Sequence, residues 1–158
     1  MNRCYEIIKK HYEGRVASRS GLPYMNHINE GLKILNYLGV IQEVKDAFCL
    51  HPIFQMDDSF YELTREFINK IDPYVLFLTM EYRAVANSYR PIDHFADRKL
   101  RISVIPGVNL MLVADKVQNR KDYEIYQDIN YELASYFKLW LSALSVSEDE
   151  YEKMRGLL

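Results

Sequence analysis

Three side chains able to ligate a metal sit where apolar helical patterning calls for core residues: His27, His51 and Asp115. In "IQEVKDAFCLH" the positions Val44, Ala47, Phe48 and His51 follow i, i+3, i+4, i+7, so His51 shares the buried stripe of a helix. His27 lies on the inward side of an earlier helix, one turn before Gly31 and two before Ile34. Asp115 falls inside the apolar run "VNLMLVADKV", where an unpartnered carboxylate costs several kcal/mol, so it requires a cation nearby. Two imidazoles and a carboxylate from separate helices suit a borderline dication such as Mn²⁺, Fe²⁺ or Zn²⁺. Such an ion acidifies water and polarises a phosphate ester, a route to hydrolysis. The competing reading is three core residues that satisfy one another or pair with Lys116.

A second polar set lies on "TMEYRAVANSYRP", where Arg83 and Asn87 are one turn apart and Arg90 lies a turn further along that side. Such a face holds a phosphate through forked guanidinium contacts, or it is an ordinary solvated surface. "DRKLR", residues 97–101, reads as a solvated charge run.

The elements that position these residues are helical almost throughout, and the fold class is all-α: a single helical domain over residues 1–158, with no convincing hairpin signal. Helices are expected at 3–13, 24–37, 41–51, 59–70, 73–89, from about 108 to 126, 129–144 and 147–156. Gly14 and Gly39 stop the first two, and Pro52 is expected to close the third at His51. Pro73 suits a first turn, Asp58 or Ser59 can cap the helix that follows the loop "PIFQMDD", and Ser147 with Glu150 forms a capping box.

At 158 residues the chain is long enough for a proper core without help from a disulfide. Twenty basic against twenty-two acidic side chains give a net charge of −2, which offers no footprint for nucleic acid or an anionic membrane. Cys4 and Cys49 lie in apolar helical contexts and read as reduced buried thiols, which points to the cytoplasm. No stretch approaches a membrane span, and thirteen tyrosines with seven phenylalanines read mainly as amphipathic core edge.

In order and context, three segments resemble the HD-domain hydrolases of the RelA/SpoT type, including the small stand-alone (p)ppGpp hydrolases. "SGLPYMNHINEGLKIL" is similar to their Gly-x-Pro-Tyr-x-x-His opening, "VKDAFCLHPIFQMDD" falls where they carry His-Asp and then Glu-Asp, and "LMLVADKVQNRKD" is similar to their Leu-Ala-Asp-Lys-Leu-x-Asn helix. The resemblance spans about residues 15–125. It implies an HD-like helical bundle, a divalent metal held by His27, His51 and Asp115, and a nucleotide or related phosphate ester beside Asn119, with Tyr24 and Arg19 as looser matches on the substrate side.

The departures strike the chemistry. Pro52 stands where the family has its third ligand, and Gln55-Met56 stands where it has the Glu-Asp pair that activates water. Gln55 keeps a hydrogen-bonding group but no general base, and Asp57 or Asp58 would serve as a replacement acid only if the loop brought it to the ion. Two functions follow: a metal-dependent nucleotide (pyro)phosphohydrolase relative with altered or lost activity, or a catalytically inactive nucleotide-sensing or protein-interaction module on the same scaffold.

Overall fold

In the computed structural model, residues 3–18, 20–55, 68–89, 99–126 and 131–158 are described. Seven α-helices account for most of them: α1 (Arg3–His11), α2 (Met25–Tyr37), α3 (Gln42–Gln55), α4 (Pro73–Ser88), α5 (Pro106–Tyr126), α6 (Tyr131–Ala143) and α7 (Glu148–Arg155). Among the described residues there is no strand, only an isolated bridge between Val16 and Pro23 that closes the turn before α2. The all-α expectation holds. Asp57, Asp58, Arg19, Arg90, most of the helix expected over 59–70 and the first two residues of "DRKLR" lie outside the described residues.

Local chemistry accounts for the helix ends. α2 stops in a Schellman arrangement, with Gly39 at φ +67° donating to the Asn36 carbonyl and Val40 donating back to Leu35. Asp72 caps α4 by accepting from the Tyr74 amide at 2.8 Å, directly before Pro73 in the first turn. The capping box of Ser147 and Glu150 opens α7.

One boundary differs from expectation in an informative way. Pro52 does not close α3, which runs on to Gln55. Proline in a helix interior removes one amide donor and crowds the carbonyl four residues back, here Phe48. That carbonyl takes its hydrogen bond from the His51 ring instead, with Nδ1 at 2.6 Å. The last turn also buries Ile53 and Phe54 in the core, and this burial outweighs the local penalty.

α3 and α5 are the two central helices: α3 packs on α1, α2, α4 and α5, while α5 also meets α2, α4, α6 and α7. α5 is buried on almost every side, through Val108, Met111, Leu112 and Val117 but also through Asp115, Lys116, Arg120 and Lys121. Such a helix is stable only where its buried charges are paired. Arg120 is gripped by Glu124 and by both oxygens of Glu148, which ties α7 to α5, and its guanidinium lies 3.7 Å from the centre of the Tyr151 ring.

α2 approaches α3 closely because Gly31 leaves room for the Phe48 ring. A Cβ there would meet Phe48 Cζ at 2.1 Å. Gly31→Ala is therefore expected to lower stability, with about 1–3 kcal/mol of overpacking set against about 1 kcal/mol gained in helix propensity. A fall in the urea midpoint at unchanged slope would verify this. Cys4 and Cys49 are buried free thiols in the α1–α3 contact, and burial pushes the Cys4 pKa up to about 12. Among the described residues no helix is long and apolar enough to cross a membrane.

Candidate metal centre

The three residues singled out by type and spacing meet at one point, although they come from α2, α3 and α5. One ligand atom from each of His27, His51 and Asp115 lies within 4.8 Å of the other two. His27 Nε2 is 3.2 Å from His51 Nε2, and Asp115 Oδ1 is 3.5 Å from the first and 3.7 Å from the second. The side chains of His51 and Asp115 are 2% and 6% exposed, whereas that of His27 is 21% exposed, so the group opens to solvent on the α2 side.

Hydrogen bonds on the far side of each ring decide which nitrogens face inward with a lone pair. His51 Nδ1 lies 2.6 Å from the Phe48 carbonyl, which only accepts, so Nδ1 carries the hydrogen and Nε2 is bare. His27 Nδ1 lies 2.6 Å from Gln118 Oε1. The orientation of that amide is itself fixed, because Gln118 Nε2 donates to Glu30 Oε2 at 3.0 Å and to Asp122 Oδ2 at 2.7 Å. His27 Nδ1 therefore also carries a hydrogen, so that in the neutral ring Nε2 is the nitrogen with the free lone pair. Two imidazole lone pairs and a carboxylate oxygen thus point at one another across a few ångströms. Only a cation, a proton or a metal ion, relieves their repulsion.

A second ring of partners holds this arrangement. Asn119 donates to Asp115 Oδ1 at 2.8 Å and to its backbone carbonyl at 2.9 Å. Lys116 takes the other oxygen, with Nζ 2.8 Å from Oδ2, and its ammonium lies 5.1 Å from the Trp140 ring and 5.5 Å from the Tyr136 ring. The negative charge of Asp115 is thus matched by Lys116, while Oδ1 is left to face the imidazoles. Lys121 closes the relay behind His27 by holding both oxygens of Glu30 at 2.6 and 2.7 Å.

Burial tunes the groups. His51 is pushed down to about 3 by loss of solvation and by His27, against the pull of Asp115, so its ring is neutral and able to ligate. Burial alone would raise Asp115, but the Lys116 ammonium beside it holds it below the ordinary carboxylate range. Lys116 pays for burial, yet Asp115 keeps its pKa above the usual value. The Tyr82 ring packs 4.7 Å from that of His51, and burial together with the Asp115 charge raises its phenol pKa. The Tyr82 hydroxyl interacts with Asp115 but makes no hydrogen bond of ordinary geometry among the described residues.

The group lines a cavity of about 350 Å³. Asn119, Gln118, Pro52 and Gln55 line it as well, together with the aromatic side chains of Tyr12, Tyr24, Tyr123 and Phe137. Of the substrate-side residues named from sequence, Tyr24 and Asn119 line the cavity; Arg83 and Asn87 are half-buried on α4 and do not. Asn87 and Gln55 bind each other, through Gln55 Nε2 to Asn87 Oδ1 at 3.3 Å and Asn87 Nδ2 to the Gln55 carbonyl at 3.2 Å. Glu81, on the same helix, accepts from Ser103.

Sequence reasoning missed the relay of Gln118, Glu30 and Lys121. The available signal was a run of polar residues on a helix that the fold buries, together with Glu30 spaced i+3 from His27. No protein-family model, curated protein or solved structure matches the chain, so it is characterised by what its own residues build: an all-helical bundle with a buried His-His-Asp group able to hold a metal ion.

Proposed function

We propose that this chain is a relative of the HD-type metal-dependent nucleotide (pyro)phosphohydrolases, with its ion held by His27, His51 and Asp115 and a nucleotide or related phosphate ester in the adjoining cavity. The observation that carries this reading is the convergence of His27 Nε2, His51 Nε2 and Asp115 Oδ1, with each ring oriented by a hydrogen bond at its Nδ1 and the carboxylate by Asn119 and Lys116. Three protein ligands with positions left over are what catalytic rather than structural sites provide. A Mn²⁺, Fe²⁺ or Zn²⁺ ion bound there supplies Lewis acidity toward a phosphoryl oxygen and its attacking water. The chain's own part is to donate the imidazole lone pairs, to limit Asp115 to one oxygen through Lys116, and to offer aromatic faces on which a base can stack.

A second reading keeps the ligand and drops hydrolysis. Gln55 is tied to Asn87, and Asp122, the remaining carboxylate on the described cavity wall, is occupied by Gln118 and Lys121, so neither serves as a free base. The nucleotide-sensing or protein-interaction module rests on that observation.

One set of measurements separates the two. Purified protein is expected to take up one equivalent of Mn²⁺ or Zn²⁺, more weakly as pH falls because protons compete for the same lone pairs. His51→Ala is expected to lose that binding by more than about 100-fold, well beyond the loss of a supporting partner. Metal-dependent phosphate release from a nucleotide that vanishes in this variant supports the hydrolase. Absence of stoichiometric metal, with nucleotide binding that persists in His51→Ala, supports the module.

A further inference from the structure

Pro52 looks at first like pure loss, a missing carboxylate and a helix defect. Its place relative to His51 says otherwise. In an unbroken helix the amide of residue 52 donates to the carbonyl of residue 48. Proline has no such hydrogen, and its ring pushes that carbonyl outward. The freed Phe48 oxygen is the atom that His51 Nδ1 reaches at 2.6 Å, from a ring that is almost wholly buried. With Nδ1 committed there, Nε2 is the nitrogen presented to His27 and Asp115.

We propose that Pro52 is a positioning residue: by withholding a backbone donor from the Phe48 carbonyl, it reserves that oxygen for His51 Nδ1 and so fixes His51 as an Nε2 ligand. The same substitution that removes one ligand thereby sharpens another. This inference rests on the metal-centre reading for its consequence, but the hydrogen position on the His51 ring is a property of the metal-free protein and can be read by itself.

Pro52→Ala is the test. Residue 52 then has an amide aimed along the helix at the Phe48 carbonyl, in competition with the imidazole. Two measurements are made on wild type and variant: two-bond ¹H–¹⁵N correlations of the histidine rings in metal-free protein at pH 8, and titration with Co²⁺ followed by its visible absorption. Wild type is expected to show His51 protonated at Nδ1 alone. In the variant His51 is expected to populate the Nε2-protonated form, and Co²⁺ affinity to fall by about 10- to 100-fold, the usual effect of losing a ligand's supporting partner. A merely structural proline predicts the opposite pattern: a higher melting temperature from the repaired helix, with the ring signature and affinity unchanged. An unchanged ring signature in Pro52→Ala would overturn the proposal. If wild type itself takes no Co²⁺, the metal reading fails while the ring correlations still decide this one. Pro52→Ser, which restores the same donor, must behave as Pro52→Ala does, and a divergence between the two also counts against it.

Discussion

Asp115→Asn is expected to destabilise the metal-free protein by about 3–5 kcal/mol, the range found when one member of a buried ion pair is removed. The carboxylate is not itself the costly group once Lys116 lies 2.8 Å away; the variant leaves that ammonium fully buried with no countercharge. Urea unfolding at neutral pH measures the loss. The cause is separated from simple repacking by the double variant Asp115→Asn/Lys116→Met, which should recover much of the stability, since the stranded cation is gone. Metal binding should recover in neither. If Asp115→Asn alone were as stable as wild type, the burial and pairing described for this residue would be wrong.

Acid should unfold the metal-free protein earlier than its size suggests. His51 has a reference pKa of 6.5 and is pushed down to about 3 in the fold, so the unfolded chain binds the proton more readily. Stability from this group is complete above pH 6.5 and is lost as pH falls toward 3, by several kcal/mol in all. Asp115 acts in the same direction lower down, because its folded pKa is also depressed: its contribution is present above the ordinary carboxylate range and disappears on further acidification. Urea midpoints collected from pH 8 to pH 4 should therefore fall steadily below pH 6.5. In His51→Ala this slope should be shallower by one proton per molecule over the same window. An unchanged slope would mean that the ring is not held neutral in the fold.

The sequence revealed the His-His-Asp group more readily than it revealed what supports it. His27, His51 and Asp115 could be found because each interrupts an apolar stripe, and periodicity says which way a stripe faces. Their support comes from partners that local pattern cannot see: Glu30 binds Lys121 across 91 positions of sequence and Gln118 across 88. Pro52 was misread for a related reason. The rule that proline ends a helix concerns backbone hydrogen bonding alone, and here a side chain took the vacant carbonyl while Ile53 and Phe54 were drawn into the core. Arg83 and Asn87 do share one side of α4, as their spacing requires, but spacing along a helix does not say which neighbour that side meets. Asn87 met Gln55.

The chain carries one tryptophan, Trp140, whose indole is fully buried, has no hydrogen-bond partner at Nε1 among the described residues and lies 5.1 Å from the Lys116 ammonium. Its fluorescence should consequently be blue-shifted in the folded state and sensitive to the local field that the ammonium imposes. Because that ammonium is anchored on Asp115, an ion arriving at the carboxylate would perturb the emission without any added dye, which would give the protein its own optical gauge of occupancy.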